Sequence, residues 1–315
     1  MIFPHALKMG DAVGLIAPSS PVPAERLEAC KSLLESQGYK VKEGRGIYSS
    51  LHGYQGGPAA VRAADINAMF ADPEVKAIFC LKGGYSSAQV MDKLDLRLIR
   101  ANPKIFVGYS DVTNLNVFLN QQAGMVTFHG PMVHSNMLKS YDDFTRASFE
   151  AALALGASGS LELKNPQGEP FRTLRPGRAE GIIAGGNLSL LCSMLGTPYE
   201  IDTRGKILFF EDVNESIPHI DRMLYQLKYS GKLDQAAGVA AGDFSGQSNP
   251  DDPAYMADEL LRDFFTGYQK PVVDNIKSGH CYPMSSIPLG ALCRLDTDGT
   301  KGQAGAEPKI TFHLP

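Results

Sequence analysis

Gly108-Tyr109-Ser110-Asp111 sets a serine where a buried apolar run, Ile105-Phe106-Val107, gives way to a helical pattern marked by Val112, Leu115, Phe118 and Leu119. A sharp strand-to-helix turn pushes its middle side chain out above the carboxyl edge of a sheet, where open α/β sheets hold ligands. It also aims the next backbone N–H, that of Asp111, toward an oxyanion developing on a substrate carbonyl. Ser110 therefore suits a nucleophile. It equally suits a helix cap, a common use of Ser and Asp.

Lys82-Gly83-Gly84-Tyr85-Ser86 follows a second apolar run, residues 77–81. Two glycines at a strand exit let backbone N–H groups approach a ligand, so this turn is a candidate for the second oxyanion donor; the alternative is an ordinary tight turn. Glu211-Asp212-Val213-Asn214-Glu215 follows the run 207–210. An acid at the end of so apolar a strand needs a partner, and Glu211 stands where a carboxylate that orients a base is required. Asp212, Asn214 and Glu215 have a second reading as first-turn residues of the next helix, marked by Ile217, Ile220, Leu224 and Leu227; that reading is adopted for Glu215.

Of the seven histidines, His280 in Ser278-Gly279-His280-Cys281 is the best placed to present a ring to a cleft, because glycine precedes it in a loop. His5 and His313 are terminal, His52 lies in a Gly-rich loop and His219 in a helical pattern. His129 and His134 flank Gly130-Pro131 as structural or site-lining residues. The chain order Ser110, Glu211, His280 matches one lineage of serine triads, although order alone does not set geometry. No metal-ligand spacing such as H-E-x-x-H is present, so neither a metal ion nor another cofactor is expected.

Strand patterns at 12–17, 75–81, 104–108 and 125–129 alternate with helical patterns at 23–37, 58–70, 87–94 and from Val112. That alternation predicts a doubly wound parallel sheet. Residues 135–178 lose the pattern and read as a connection with a little structure of its own. Strand candidates then crowd together at 181–184, 206–210, 238–241, 271–274, 289–295 and 309–313. The expected division is 1–136, a connecting segment 137–177, and a smaller, β-rich domain 178–315.

At 315 residues, 43% hydrophobic and 20% charged, the chain has material for two cores. Its net charge of −4, with 30 basic and 34 acidic residues well mixed, gives no nucleic-acid footprint. No apolar run spans a bilayer, and the start lacks the basic and apolar regions of a signal peptide. Five scattered cysteines without a CxxC pair read as reduced thiols, which makes the cytoplasm the expected address. None occupies a strand-to-helix turn, which weakens a cysteine-nucleophile hydrolase. A small-ligand binding module, with Ser110 only a cap, is the non-enzyme alternative.

Together these segments resemble the LD-carboxypeptidase family of serine peptidases over nearly the whole chain. The residues that carry the resemblance begin with Gly14-Leu15-Ile16-Ala17-Pro18-Ser19, Arg62 with Asp65-Ile66-Asn67, Lys82-Gly83-Gly84-Tyr85 and Gly108-Tyr109-Ser110-Asp111. They continue through Thr127-Phe128-His129-Gly130-Pro131, Gly185-Gly186-Asn187-Leu188, the segment from Phe210 to Glu215, Asp221-Arg222-Met223-Leu224 and Gly279-His280. The resemblance implies Ser110 as nucleophile, Glu211 as orienting acid and His280 as base. It implies oxyanion donors at the N–H groups of Asp111 and Gly84, and a substrate-facing turn of Lys82, Gly83 and Tyr85. The implied fold is a flavodoxin-like parallel-sheet domain followed by a smaller β-rich, α+β domain of swivelling or barrel-like form, usually in a homodimer. The implied substrate is a small peptide: most members release terminal D-alanine from murein tetrapeptide by cutting an L,D amide bond in peptidoglycan recycling. One branch instead cleaves peptidyl-nucleotide antibiotics and confers microcin immunity, often using tryptophan to stack on its ligand. This chain has no tryptophan, which favours the murein reading. It departs from the usual R-G-G-Y-G at Lys82 and Ser86, and lysine lacks the planar fork with which arginine grips a carboxylate.

Overall fold

The computed structural model describes residues 1–298 and 307–314. Its strands, in chain order, are β1 (Ala12–Ile16), β2 (Lys40–Glu43), β3 (Val75–Cys80), β4 (Ile105–Val107), β5 (Thr127–His129), β6 (Ser160–Glu162), β7 (Arg172–Arg175), β8 (Arg178–Asn187), β9 (Ile207–Val213), β10 (Gly238–Ser245), β11 (Val272–Asp274), β12 (Ile287–Leu289), β13 (Leu292–Asp296) and β14 (Lys309–His313). The chain divides into two compact units: Met1–Gly159 with Ser286–Gly290, and Ser160–Ser285 with Ala291–Pro315.

The first unit is built on a six-stranded sheet of order β12-β5-β4-β3-β1-β2. Its pairings are parallel except β12 against β5, which is antiparallel. β1 is buried along its whole length, as a parallel strand covered on both faces must be. The helix Ala59–Ala71 lies so close to β1 that a Cβ on Gly14 would stand 2.6 Å from Met69 Sδ. Phe70 of that helix stacks on Phe106 of β4 at 6.3 Å. Within β2-β1-β3-β4-β5 the strand order reverses between β1 and β3, the switch point at which doubly wound sheets open a crevice at their carboxyl ends.

The second unit carries an eight-stranded sheet of order β6-β14-β13-β8-β9-β10-β11-β7. Its four inner strands, β8 to β11, run parallel, and antiparallel strands flank them. The crowded strand signals thus resolve into one mixed sheet of a β-rich unit, with helices in the crossovers between its parallel strands. Helix Ile217–Tyr229 buries Ile217, Ile220, Leu224 and Leu227, the four residues whose spacing marked it. No helix among the described residues is long and apolar enough to cross a membrane.

Two local expectations, at 87–94 and 289–295, are corrected, and the connecting segment proves to hold a helix. The helix expected over 87–94 is a tighter 3₁₀ turn, Ser87–Lys93. Residues 137–177 contain the helix Asp143–Leu153, which Asp142 caps through Thr145 N–H, and Phe149 of that helix meets Phe79 of β3 edge-on at 5.7 Å. The single strand expected over 289–295 is two strands, broken at Gly290 (φ 96°), and its halves belong to different sheets.

Candidate active site

Ser110 sits at the exit of β4 with φ 64°, a left-handed conformation uncommon for a residue with a Cβ. Holding it there costs about 1–3 kcal/mol, a cost typical of functional turns. It is not a cap: neither the turn Ser110–Val112 nor the helix Thr113–Phe118 has a side-chain cap bond. Gly108 is required before it, since a Cβ there would lie 2.6 Å from Val112 Cγ1 and 3.2 Å from Cys80 Cβ.

The exit of β3 is moulded onto this turn. A Cβ on Gly83 would lie 2.8 Å from Ser110 Cβ and 2.9 Å from Ser110 Oγ. Gly84 has φ 149°, and a Cβ on it would stand 2.0 Å from Ser20 Oγ, so both glycines are dictated by close approach. Buried Asp111 holds the arrangement together. Its Oδ2 accepts from Ser86 N–H at 2.9 Å, Ser87 N–H at 2.8 Å and the Ser19 hydroxyl, while Ser87 Oγ donates to its carbonyl at 2.6 Å. One carboxylate thus ties together the exits of β1, β3 and β4. Buried Arg62 reinforces it, donating to the carbonyls of Gly57 at 2.9 Å, Pro18 at 2.6 Å and Ser86 at 2.8 Å, and to Gln89 Oε1 at 2.6 Å. Ser86, the departure from the family glycine, donates its hydroxyl to Ser19 O at 2.9 Å and so takes part in the same lock. Lys82 is half-buried and Tyr85 is exposed. His129 is buried in β5 with its ring 5.5 Å from that of Tyr109.

In the second unit, Glu211 is wholly buried near the carboxyl end of β9, and its Oε2 accepts from His280 Nδ1 at 2.7 Å. A carboxylate only accepts, so Nδ1 carries the hydrogen and Nε2 is the basic nitrogen of the ring. Gly279 is obligatory here: with φ 120°, a Cβ on it would stand 2.4 Å from Glu211 Oε2. The loop that carries His280 is fixed by Ser278 Oγ donating to Ser285 O at 2.7 Å and by Lys277 N–H donating to Asn165 Oδ1 at 2.9 Å. Burial pushes the Glu211 carboxyl above its ordinary value, against the pull of the His280 ring. Burial also works against charging His280, but Glu211, backed by Asp212 and Asp243, outweighs it and raises the ring above its ordinary value.

Asp212 is not a first-turn acid of the helix Ile217–Tyr229. It lies in β9, where it accepts from Asn187 Nδ2 at 3.0 Å, Ser189 N–H at 2.9 Å and Ser189 Oγ at 2.7 Å, anchoring the helix Leu188–Ser193. Asn214 also precedes that helix, with φ 58° and its N–H donating to Ser245 O at 2.8 Å. Glu215 is not a first-turn acid either: it stands before Ser216, the N-cap of the helix Ile217–Tyr229, and pairs with His219 at 3.0 Å. Reading the sequence passed over Asn136, whose Nδ2 donates to Tyr109 OH at 3.1 Å and so steadies the residue before Ser110; no local pattern signals that long-range bond.

Gly279→Ala should lose about 1–3 kcal/mol of stability from backbone strain, and more from the clash with Glu211. It should also let the His280 ring titrate closer to its ordinary value, as read from histidine proton shifts against pH. An unchanged titration would disconnect the glycine from the pair.

One unit holds a strained serine with glycine-rich backbone packed against it, and the other holds a carboxylate-oriented imidazole. Comparison with known proteins gives the family. Sequence models of the LD-carboxypeptidase N-terminal and C-terminal domains match residues 13–130 and 180–295. The probable murein peptide carboxypeptidase of Bacillus subtilis is 42% identical over 93% of this chain and 91% of its own length. The microcin C7 self-immunity protein of Escherichia coli is 28% identical over 93% and 92%. The crystal structure of muramoyltetrapeptide carboxypeptidase from Oxalobacter formigenes superposes with a TM-score of 0.81 at 28% identity, covering 96% of this chain and 99% of that one. Both halves of the family's sequence pattern are present, in order, on the family's fold: the chain belongs to the LD-carboxypeptidase family of peptidases.

Proposed function

We propose that this protein is a serine-type LD-carboxypeptidase that hydrolyses the L,D amide bond of murein tetrapeptide and releases its terminal D-alanine. Ser110 Oγ attacks the scissile carbonyl while His280 Nε2 takes its proton, and Glu211 holds the ring and stabilises the imidazolium. The N–H groups of Asp111 and Gly84 receive the oxyanion. The imidazolium then protonates the departing D-alanine amine, and a water activated by the same ring hydrolyses the acyl-enzyme. The same reading, carried by the family resemblance, makes the enzyme a cytoplasmic homodimer acting in peptidoglycan recycling.

The observation that carries this reading is the left-handed Ser110 with Gly83 pressed against its hydroxyl. A binding module has no use for a strained serine that caps nothing. The substrate follows the relatives: identity is 42% to the protein named for murein peptides and 28% to the one named for microcin immunity.

Incubation with murein tetrapeptide, followed by mass spectrometry, should show tripeptide and free D-alanine, and a fluorophosphonate should label Ser110. Intact tetrapeptide beside a cleaved peptidyl-nucleotide would transfer the assignment to the microcin type. An unlabelled serine would remove the serine mechanism.

A further inference from the structure

Beside the Ser110 turn, the first unit gathers positive charge. Lys82 stands between β3 and Gly83, the glycine packed on Ser110. The segment Val133–Met137 lies alongside, with the His134 N–H donating to Leu81 O at 2.9 Å, next to Lys82 in the chain. Met132 just before it reaches within 3.5 Å of where a Gly83 Cβ would stand, which keeps this wall against the nucleophile's turn. The helix Ala24–Ser36 packs on the same segment and carries Arg26, and Lys139 follows the segment. His134 is 9% exposed, and its Nδ1 is buried with no hydrogen-bond partner among the described residues. Burial, then Lys139, Lys82 and Arg26, hold the ring below its ordinary value and hence neutral near pH 7. None of the three cations forms an ion pair among the described residues.

A buried polar atom left without a partner is destabilising. A ligand with carboxylate oxygens would satisfy that atom and offset the cations' mutual repulsion. The location specifies which carboxylate. In a carboxypeptidase substrate the terminal carboxyl carbon lies only roughly 3–4 Å from the carbonyl carbon attacked, because a single residue separates them. Lys82 is likewise one residue from the glycine that abuts Ser110.

We propose that Lys82 and the Nδ1–H of His134 bind the free C-terminal carboxylate of the peptide substrate, with exposed Arg26 and Lys139 supplying the field that draws it in. This rests on the carboxypeptidase reading above and makes the site the device that limits cleavage to the last residue. A lysine serves as a point charge with three donors, so arginine's planar fork is not needed.

The test compares the tetrapeptide acid with its terminal carboxamide in wild type, Lys82→Met, Lys82→Arg and His134→Leu. Wild type should favour the acid by about 100-fold in kcat/KM, and Lys82→Met should cut that ratio by about 30-fold, chiefly through KM. Lys82→Arg should restore most of the ratio, and His134→Leu should lower it less than Lys82→Met does. Fluorophosphonate labelling of Ser110 checks that each variant keeps its turn; Lys82→Gln replaces Lys82→Met if that variant does not. A ratio that stays high in correctly folded Lys82→Met overturns the carboxylate site. Failure of the wild type to release D-alanine would instead overturn the reaction assigned above. Calorimetry of acid and amide peptides with wild type and Lys82→Met would then still decide the site.

Discussion

Ser110→Ala is expected to lose about a million-fold in kcat, the loss typical of a triad nucleophile, while stability should stay within about 0.5 kcal/mol of wild type. The change removes one hydroxyl from a half-buried turn and leaves the left-handed backbone in place. Asp111 keeps its bonds to Ser86, Ser87 and Ser19, so the three strand exits remain tied. Ser110→Gly separates strain from chemistry. It removes the same hydroxyl but accepts φ 64° without a Cβ, and should unfold at higher denaturant than Ser110→Ala by about 1 kcal/mol. Turnover assays on both variants, with denaturant melts, decide the matter. Activity above a few per cent of wild type in either would dismiss Ser110 as nucleophile.

The second large effect belongs to Glu211. Glu211→Gln keeps the side-chain volume but offers His280 either an amide oxygen or an amide N–H, so the ring is no longer held in one tautomer. The expected loss is about 10⁴-fold in kcat. The pH profile carries a separate signature. As the proposed base, His280 would work only when neutral, so kcat/KM of wild type should rise with pH through the ring's raised value, above 6.5. Without the carboxylate, burial acts on the ring with less opposition, and the acid limb moves to lower pH. An unshifted limb would mean that Glu211 supports the loop without setting the base.

The sequence made the first sheet legible because buried parallel strands are written as apolar runs. Phe106 and its neighbours in β4, and the wholly buried β1, stand out for that reason. Strand β2, Lys-Val-Lys-Glu, escaped notice because it is an edge strand with no fully buried residue. Strands β6 and β7 escaped for the same reason. Glu211 and Gly279 were both conspicuous, one an acid ending an apolar run and the other a glycine before histidine. Their steric interdependence was not, because it lies in a 2.4 Å approach between positions distant in the chain. Asp212 was left between two readings for a related reason. Short-range rules pair an acid with the next helix, whereas here it serves Ser189, 23 positions earlier.

Strand β12 has a consequence for how the protein is made. Its residues close the first unit's sheet beside β5, with Asn120 Nδ2 donating to Leu289 O at 3.2 Å and Ser286 N–H donating to Ser148 Oγ at 3.0 Å. During synthesis, β5 emerges long before its neighbour. At ordinary elongation rates, the stretch from Ser160 to Gly290 occupies about ten seconds, during which the edge of β5 stays unpaired. An open edge beside so apolar a sheet invites pairing with another nascent chain. Cutting the gene at the first crossing, after Gly159, therefore yields a fragment whose sheet lacks its last strand. A sound expression boundary for the first unit must bring residues 286–290 with it, by circular permutation or by a grafted strand.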